Sequence, residues 1–150
     1  MLVPGDEVPD FSLLSGTGQK VGPGELRGRP WVIYFYPKDN TPGCTIETRE
    51  FGQALADFTA RGVAVFGCSV GDVAAKAAFA AACDAPTLAL LADPDHRVAE
   101  IFGAWKPSVT GSGGGVARVT FLVSANGKVE RVWESVKPAG HAAAVLAAVS

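Results

Sequence analysis

Residues 31–44 read WVIYFYPKDNTPGC, in which an unbroken apolar run meets a turn-rich loop that ends in a cysteine. The β-branched and aromatic run 31–36 predicts a strand that is buried on both faces, as in a parallel or mixed sheet. Thr41 is a typical N-cap, because its hydroxyl can accept a backbone hydrogen bond, and Pro42 suits the first helical position. The sequence therefore predicts that Cys44 lies in the first turn of a helix, next to the end of a central strand.

This position favours a reactive thiol. Backbone N–H groups and the positive end of the helix dipole favour the thiolate in a first helical turn, and the thiolate is the nucleophilic form. Loops at the carboxyl ends of strands are also where open α/β sheets bind ligands. A free cysteine is commonly a small buried hydrophobe, but the context of Cys44 favours a nucleophile.

The rest of the chain alternates between strand and helix patterns. Strand patterns occupy 63–68 and 88–92, helical patterns occupy 45–62, 72–83 and 93–103, and a terminal helix is expected over 141–149. The first thirty residues predict turns and a small hairpin, and strand patterns at 116–124 and 128–136 flank the hairpin signal Asn126-Gly127. Asp72 is expected to cap the second helix, and Pro86 to end it. We therefore expect one α/β domain over 1–150, with a central mixed β-sheet flanked by helices.

Composition and charge exclude several partners. The net charge of the 150 residues is -2, and lysine and arginine do not cluster, so we expect no nucleic acid and no membrane surface as partner. The N-terminus has no signal-peptide pattern and no apolar run reaches bilayer-spanning length, which predicts a cytoplasmic protein. The three cysteines do not form a disulfide framework or a metal-ligand spacing, so we expect no metal and no other cofactor.

The segment around Cys44 resembles a known enzyme family. Pro37, Thr41 and Cys44 match the P-x-x-x-T-x-x-C signature of peroxiredoxins, and YFYPKDNTPGCTIE looks like the bacterioferritin comigratory protein, or peroxiredoxin Q, subgroup. The similarity continues through GDEVPDFSL, LLADPD and ARVTFLVSANGKV. The resemblance implies a thioredoxin-like fold and a thiol peroxidase that reduces hydrogen peroxide and organic hydroperoxides.

The resemblance also implies the roles of five residues. Cys44 is expected to be the peroxidatic cysteine, and Thr41 and Pro37 are expected to shape its pocket. Glu47 is expected to support the site. Arg118 is expected to be the arginine that the family carries in a second, later segment of the chain. A fixed guanidinium and a threonine hydroxyl can hold thiolate and peroxide together and stabilise charge on the leaving oxygen.

Arg118 also has a predicted position from its own sequence pattern. Alternation within the strand pattern places Arg118 on one face together with Val116, Thr120 and Leu122. We therefore expect the arginine to project from a strand.

The chain departs from the subgroup at the second cysteine. Many members carry a resolving cysteine five residues after the peroxidatic one, and Arg49 stands there in this chain. Cys83 lies near the end of the second predicted helix, where other members carry their resolving thiol, so we expect an intramolecular disulfide between Cys44 and Cys83. Cys68 falls in a strand pattern and is expected to be a core residue. Because the chain lacks C-x-x-C, the implied reductant is thioredoxin, and we expect a monomer.

A serine hydrolase is one alternative. GCSVG at 67–71 matches G-x-S-x-G between a strand and a helix, and Asp93 or Asp95 and then His141 follow in hydrolase order. Against it, the chain is short for that fold, and no glycine-rich oxyanion segment precedes Ser69.

A redox sensor or binding module of the thioredoxin fold is the other alternative. It would use Cys44 stoichiometrically. GSGGG at 111–115 lacks the Gly-Lys-Ser/Thr ending of a phosphate loop and is expected to be a flexible connection.

Overall fold

The computed structural model describes residues 1–107 and 114–149. In chain order the strands are β1 (Leu13–Leu14), β2 (Lys20–Val21), β3 (Trp31–Phe35), β4 (Ala64–Ser69), β5 (Ala89–Ala92), β6 (Trp105–Pro107), β7 (Gly114–Val116), β8 (Val119–Val123) and β9 (Val129–Trp133). The helices are α1 (Pro42–Ala60), α2 (Val73–Ala82), α3 (Arg97–Phe102) and α4 (His141–Ala148). Of the expected GSGGG connection, residues 111–113 lie outside the described residues, whereas Gly114 and Gly115 belong to β7 and not to a flexible loop.

The central sheet has five strands in the order β5-β4-β3-β8-β9. β3 pairs in parallel with β4, and β4 with β5, whereas β8 is antiparallel to both β3 and β9. All five residues of β3 are buried, as its continuous apolar run predicts. The predicted mixed sheet is therefore confirmed, with β3 at its centre.

Two apolar core clusters lie on the two faces of this sheet. Val32 and Tyr34 of β3 pack with residues of α1, α2 and α4, whereas Trp31, Ile33 and Phe35 pack with α3 and the N-terminal segment. Successive side chains of a strand point to opposite faces, which explains the division. The sheet thus separates side chains that are close in sequence.

The helix that follows β3 begins as predicted, but its cap differs. Thr41 is the N-cap of α1 and Pro42 its first residue, yet the threonine side chain makes no capping bond. Its hydroxyl instead donates to the carbonyl of Lys38 over 2.8 Å. The expectation of a side-chain cap was therefore wrong, because the hydroxyl is directed towards the turn 38–41 and not towards the N–H groups of the first helical turn.

The second helix is capped as predicted but ends earlier. The side chain of Asp72 accepts from the N–H of Ala75 over 2.8 Å. α2 ends at Ala82, and Asp84 then adopts a left-handed conformation with φ 56°. The turn at Asp84 therefore ends the helix, and not Pro86 as expected.

Arg118 does not project from a strand, which corrects the alternation argument. Val116 ends β7, where it pairs with Trp105 of β6, and β8 begins only at Val119. Ala117 breaks the run, because its N–H donates to the carbonyl of Ala104 over 2.7 Å. Val116 and Leu122 consequently lie in different core clusters, and Arg118 occupies the link between two sheets.

The two hairpins predicted from turn signals are present. β1 pairs with β2 antiparallel near the N-terminus, and β8 is joined to β9 by a turn in which Gly127 has φ +84°. Across the described ranges, no helix combines the length and apolar character needed to cross a membrane.

Candidate active site

Cys44 lies in the first turn of α1 and is completely buried. Nη2 of Arg118 donates to its sulfur over 3.3 Å. A guanidinium at this distance stabilises a thiolate and also offers a fixed positive charge to a bound oxygen atom. The structure thus brings together the two residues on which the proposed chemistry depends.

Arg118 is also bound by a second residue of α1, the helix that carries Cys44. Its Nη1 donates to Oε1 of Glu47 over 2.8 Å, and Glu47 is completely buried. Burial raises the pKa of Glu47 to about 7, and Arg118 opposes that rise. Burial alone would lower the pKa of Arg118, but Cys44 and Glu47 outweigh it and raise the value. The guanidinium is therefore charged and fixed between the two residues.

The glycine before the cysteine makes room for this arrangement. A Cβ atom on Gly43 would lie 3.1 Å from Nη2 of Arg118 and 3.2 Å from Cγ of Pro138. Real Cβ contacts are rarely so short, so a larger residue would displace one of the two neighbours. The PGC sequence therefore allows the guanidinium to approach the helix closely.

Thr41 and Pro37 lie in the loop before α1 and have different surroundings. The hydroxyl of Thr41 is occupied as a donor to Lys38, so its oxygen lone pairs remain as acceptors. Its carbonyl accepts from both the N–H and the hydroxyl of Thr45, which fixes the first turn. Pro37 is exposed at the start of the loop. Neither residue forms a hydrogen bond with the sulfur of Cys44 within the described part of the chain.

The other two cysteines lie on opposite faces of the sheet. Cys83 is the C-cap of α2 and belongs to the same core cluster as Cys44, whereas Cys68 on β4 belongs to the other cluster. All three are free and buried thiols. Burial raises the pKa of Cys83, with Arg49 opposing the rise, and raises that of Cys68 well above its usual value. Cys68 is thus a core residue, as predicted.

His141 is a neighbour of the site that the sequence did not reveal. Nε2 of His141 lies 2.7 Å from the hydroxyl of Thr120, and its ring packs edge-on against Phe51 and Trp133. Burial, and then the charge of Arg118, lowers its pKa to about 4. The imidazole is therefore neutral at neutral pH. The sequence singled out His141 only as the histidine of the hydrolase order, and no spacing or motif linked it to Cys44 and Arg118.

The hydrolase alternative is wrong on geometry. Ser69 is 1% exposed, and its hydroxyl accepts from Nζ of Lys76 over 2.6 Å. The carboxylate of Asp93 accepts from two backbone N–H groups at the start of α3, and His141 is bound to Thr120. The glycine at 67 has a packing role, because a Cβ there would lie 2.6 Å from the ring of Tyr34.

Known proteins with similar sequences and structures support the same chemistry. The model of the AhpC/TSA family matches residues 4–132. A Mycobacterium tuberculosis protein named as a peroxiredoxin is 39% identical over 144 residues, covering 95% of this chain and 91% of the relative. Peroxiredoxin Bcp of Escherichia coli K12 is 35% identical over 144 residues, covering 95% and 92%.

A solved structure extends the match to three dimensions. Bacterioferritin comigratory protein of Xanthomonas campestris is 35% identical, with a TM-score of 0.89 over 98% of this chain and 97% of that one. The expected thioredoxin-like fold with a mixed central sheet is confirmed by this likeness. The chain therefore belongs to the AhpC/TSA family, among the peroxiredoxins of the Bcp and Q type, and is a thiol peroxidase.

Proposed function

We propose that Cys44 is the peroxidatic cysteine and that the enzyme reduces hydrogen peroxide and organic hydroperoxides. The observation that carries this proposal is the 3.3 Å contact between Nη2 of Arg118 and the Cys44 sulfur. The thiolate attacks one peroxide oxygen, the O–O bond breaks, and the second oxygen leaves as water or an alcohol after gaining a proton. Cys44 becomes a sulfenic acid.

Arg118 and Thr41 have complementary roles in this step. The guanidinium stabilises the thiolate before attack and the negative charge on the leaving oxygen during it. The hydroxyl oxygen of Thr41 accepts a hydrogen bond from the peroxide O–H, since its own proton is donated to Lys38. Glu47 fixes the guanidinium through its 2.8 Å hydrogen bond, and Pro37 shapes the loop.

Organic hydroperoxides are included among the proposed substrates because of the activity studied in a related protein. The Xanthomonas campestris bacterioferritin comigratory protein was studied for alkyl peroxide reduction. Its high structural similarity to this chain supports a substrate class that extends beyond hydrogen peroxide.

Cys83 is the resolving cysteine in this proposal. The thiol of Cys83 attacks the sulfenic sulfur of Cys44, an S–S bond forms, and water leaves. Both residues belong to the core cluster on one face of the sheet, whereas Cys68 lies on the other face. Cys44 lies in the first turn of α1 and Cys83 is the C-cap of α2, and a disulfide requires Cα atoms within about 7 Å. The proposal therefore includes local opening of these two helix ends before the sulfurs bond.

We further propose that thioredoxin reduces the disulfide, and that the enzyme is a monomer of one domain in the cytoplasm. The absence of a C-x-x-C motif supports an external dithiol as reductant. Three cysteines, an odd number, do not form the disulfide framework of a secreted domain, which supports a compartment that keeps thiols reduced.

One experiment tests the cysteine assignment. The reduced protein is treated with one equivalent of hydrogen peroxide, alkylated, and analysed by intact mass and non-reducing peptide mapping. We expect a Cys44–Cys83 peptide and a free Cys68, and we expect Cys68→Ala to behave as the wild type. A Cys44–Cys68 peptide, a link between chains, or a lasting sulfenic acid would contradict the resolving role of Cys83.

Turnover separates the enzyme from a stoichiometric sensor. With thioredoxin, its reductase and NADPH, we expect continuous peroxide consumption. A single turnover per chain would favour the sensor.

A further inference from the structure

Lys76 is a lysine on α2 that is completely buried. Its Nζ atom lies 3.1 Å from both carboxylate oxygens of Asp39 and donates to the carbonyl of Val70 over 2.9 Å. It also donates to the hydroxyl of Ser69 over 2.6 Å. Lysine is almost never fully buried unless it is paired. This residue and its partners therefore form a buried ionic cluster.

The cluster joins three segments of the chain. Asp39 lies in the loop 37–41 that precedes Cys44, Ser69 ends β4, and Lys76 lies on α2. Tyr36 adds a further link, because its hydroxyl donates to Oδ1 of Asp39 over 2.7 Å and Nζ of Lys76 lies 5.4 Å from the centre of its ring. The loop before the peroxidatic cysteine is thereby fixed to the helix that ends at Cys83.

The backbone accommodates this lysine at Gly71. Gly71 has φ +136°, and a Cβ atom there would lie 3.2 Å from Nζ of Lys76. A left-handed glycine beside the ammonium leaves room for it. The turn between β4 and α2 is thus shaped around the buried charge.

In the closed conformation, Cys44 lies in the first turn of α1, as the structure shows. Two interactions that hold this conformation respond differently to oxidation of the cysteine. Arg118 contacts the Cys44 sulfur directly, so its bond weakens when the negatively charged thiolate becomes a sulfenic acid. The Lys76–Asp39 ion pair contacts no reacting atom. It therefore remains after the chemical step and opposes the opening that a Cys44–Cys83 disulfide needs.

We propose that Lys76 is a positioning residue whose ion pair with Asp39 limits the rate at which the oxidised site opens for disulfide formation. This inference rests on the proposed resolving role of Cys83. Two fates compete for the sulfenic acid. Attack by Cys83 gives a disulfide and water, whereas a second peroxide molecule transfers one oxygen atom, gives a sulfinic acid, and leaves as water or an alcohol. A slower opening favours the sulfinic acid.

The test uses two variants of the pair and one control. Lys76→Met keeps the length of the side chain and removes its charge, and Asp39→Asn keeps an acceptor for Tyr36 while weakening the pair. Arg61→Met is the control, because Arg61 donates to the carbonyls of Leu146 and Val149 and thus joins the distant ends of α1 and α4. We expect its loss to reduce stability and to leave the Lys76 cluster unchanged.

The two fates are measured together. Rapid-quench alkylation with mass spectrometry gives the rate of disulfide formation, and peroxide titration during turnover gives the sulfinic fraction. In Lys76→Met we expect the rate of disulfide formation to rise about tenfold, which corresponds to about 1.4 kcal/mol in the activation free energy of opening. The peroxide dose that gives half sulfinic acid should rise likewise, with smaller effects in Asp39→Asn and none in Arg61→Met.

The possible failures are distinct. If wild-type protein forms a Cys44–Cys83 disulfide but both folded variants show unchanged or slower disulfide formation, the role of Lys76 is wrong. An equal effect of Arg61→Met would show general destabilisation and would also overturn it. If the wild type forms no such disulfide, the resolving role of Cys83 is wrong and this inference falls with it. Asp39→Asn supplies the answer if Lys76→Met does not fold.

Discussion

Arg118 and Glu47 form an ion pair of 2.8 Å in which the carboxylate is completely buried and the guanidinium is mostly covered. Oε2 of Glu47 has no hydrogen-bond partner within the described residues. An uncompensated buried oxygen is energetically costly, so the pair is not explained by stability alone. Its effect is to fix the guanidinium at the cysteine, and the cost appears as a pH dependence that can be measured.

Replacing the arginine should affect chemistry more than folding. In Arg118→Met we expect a peroxide reaction slower by about a hundredfold or more, the usual loss when a donor to a developing charge is removed. Stopped-flow kinetics measure the rate, and urea unfolding measures the stability of the variant.

A matched variant controls for the loss of an arginine. Arg131 stacks on the ring of Trp133 at 4.7 Å, with no described hydrogen bond to the site. Arg131→Met should therefore react as the wild type. An Arg118→Met enzyme with an unchanged peroxide reaction rate would show that Arg118 has no catalytic role.

Removal of the nucleophile should abolish the reaction. Cys44→Ser presents a hydroxyl that stays protonated and is poorly nucleophilic, so we expect no peroxidase turnover above the uncatalysed rate. Cys68→Ser is the matched control on the other face of the sheet. Turnover near the wild-type level in Cys44→Ser would reject the assignment.

Glu47 should make the folded state less stable as pH rises. Its pKa is about 7 in the folded protein against an ordinary 4.5, so the folded state binds more protons between these values. Relative to Glu47→Gln, the wild type should lose stability on the order of 3 kcal/mol between pH 4.5 and pH 7. Urea unfolding across this range measures the difference. A constant difference between the two proteins would contradict the prediction.

His141 should act in the opposite direction. Its pKa falls from 6.5 to about 4, so the unfolded state binds more protons in that window. Its stabilising effect is present above pH 6.5 and is lost as pH falls through 4. Relative to His141→Gln, which can still bond to Thr120, the wild type should gain stability as pH rises from 4 to 6.5. Urea unfolding of both proteins measures this difference, and a difference that does not change with pH would contradict the lowered pKa of His141.

Much of the fold follows from local sequence signals. The run 31–36 becomes the buried central strand, Asp72 caps α2, and Asn126-Gly127 joins β8 to β9. Each of these depends on residues that are near in sequence, where patterning and turn chemistry are reliable. The first turn of α1 is predictable for the same reason.

The errors arise where distant segments decide the structure. Arg118 leaves the strand because Val116 pairs with Trp105, a pairing that alternation within one segment cannot reveal. Thr41 is an exception, because its hydroxyl donates to Lys38 only three residues away, through the geometry of the loop. The burial of Lys76 in an alanine-rich helix depends on Asp39 in a loop 37 residues earlier. Long-range partners of this kind have no signal in a single sequence.

The last prediction concerns the space beside the cysteine. Gly43 is a helical residue, and alanine there would by itself favour the helix by roughly 0.5–1 kcal/mol. Its methyl group, however, would lie 3.1 Å from Nη2 of Arg118 and 3.2 Å from Pro138, so the guanidinium must shift by a few tenths of an ångström. We expect Gly43→Ala to slow the peroxide reaction by about tenfold, because catalytic positioning tolerates little displacement.

The control for this variant is a glycine with free space. A Cβ on Gly24 would meet no atom within 4 Å, so Gly24→Ala should react as the wild type. Stopped-flow peroxide kinetics give the rates, and urea unfolding shows whether Gly43→Ala retains its stability. A slower reaction in a protein as stable as the wild type would show that the guanidinium position limits the rate. An unchanged rate in Gly43→Ala would show that catalysis does not require the close approach of Arg118 to the helix.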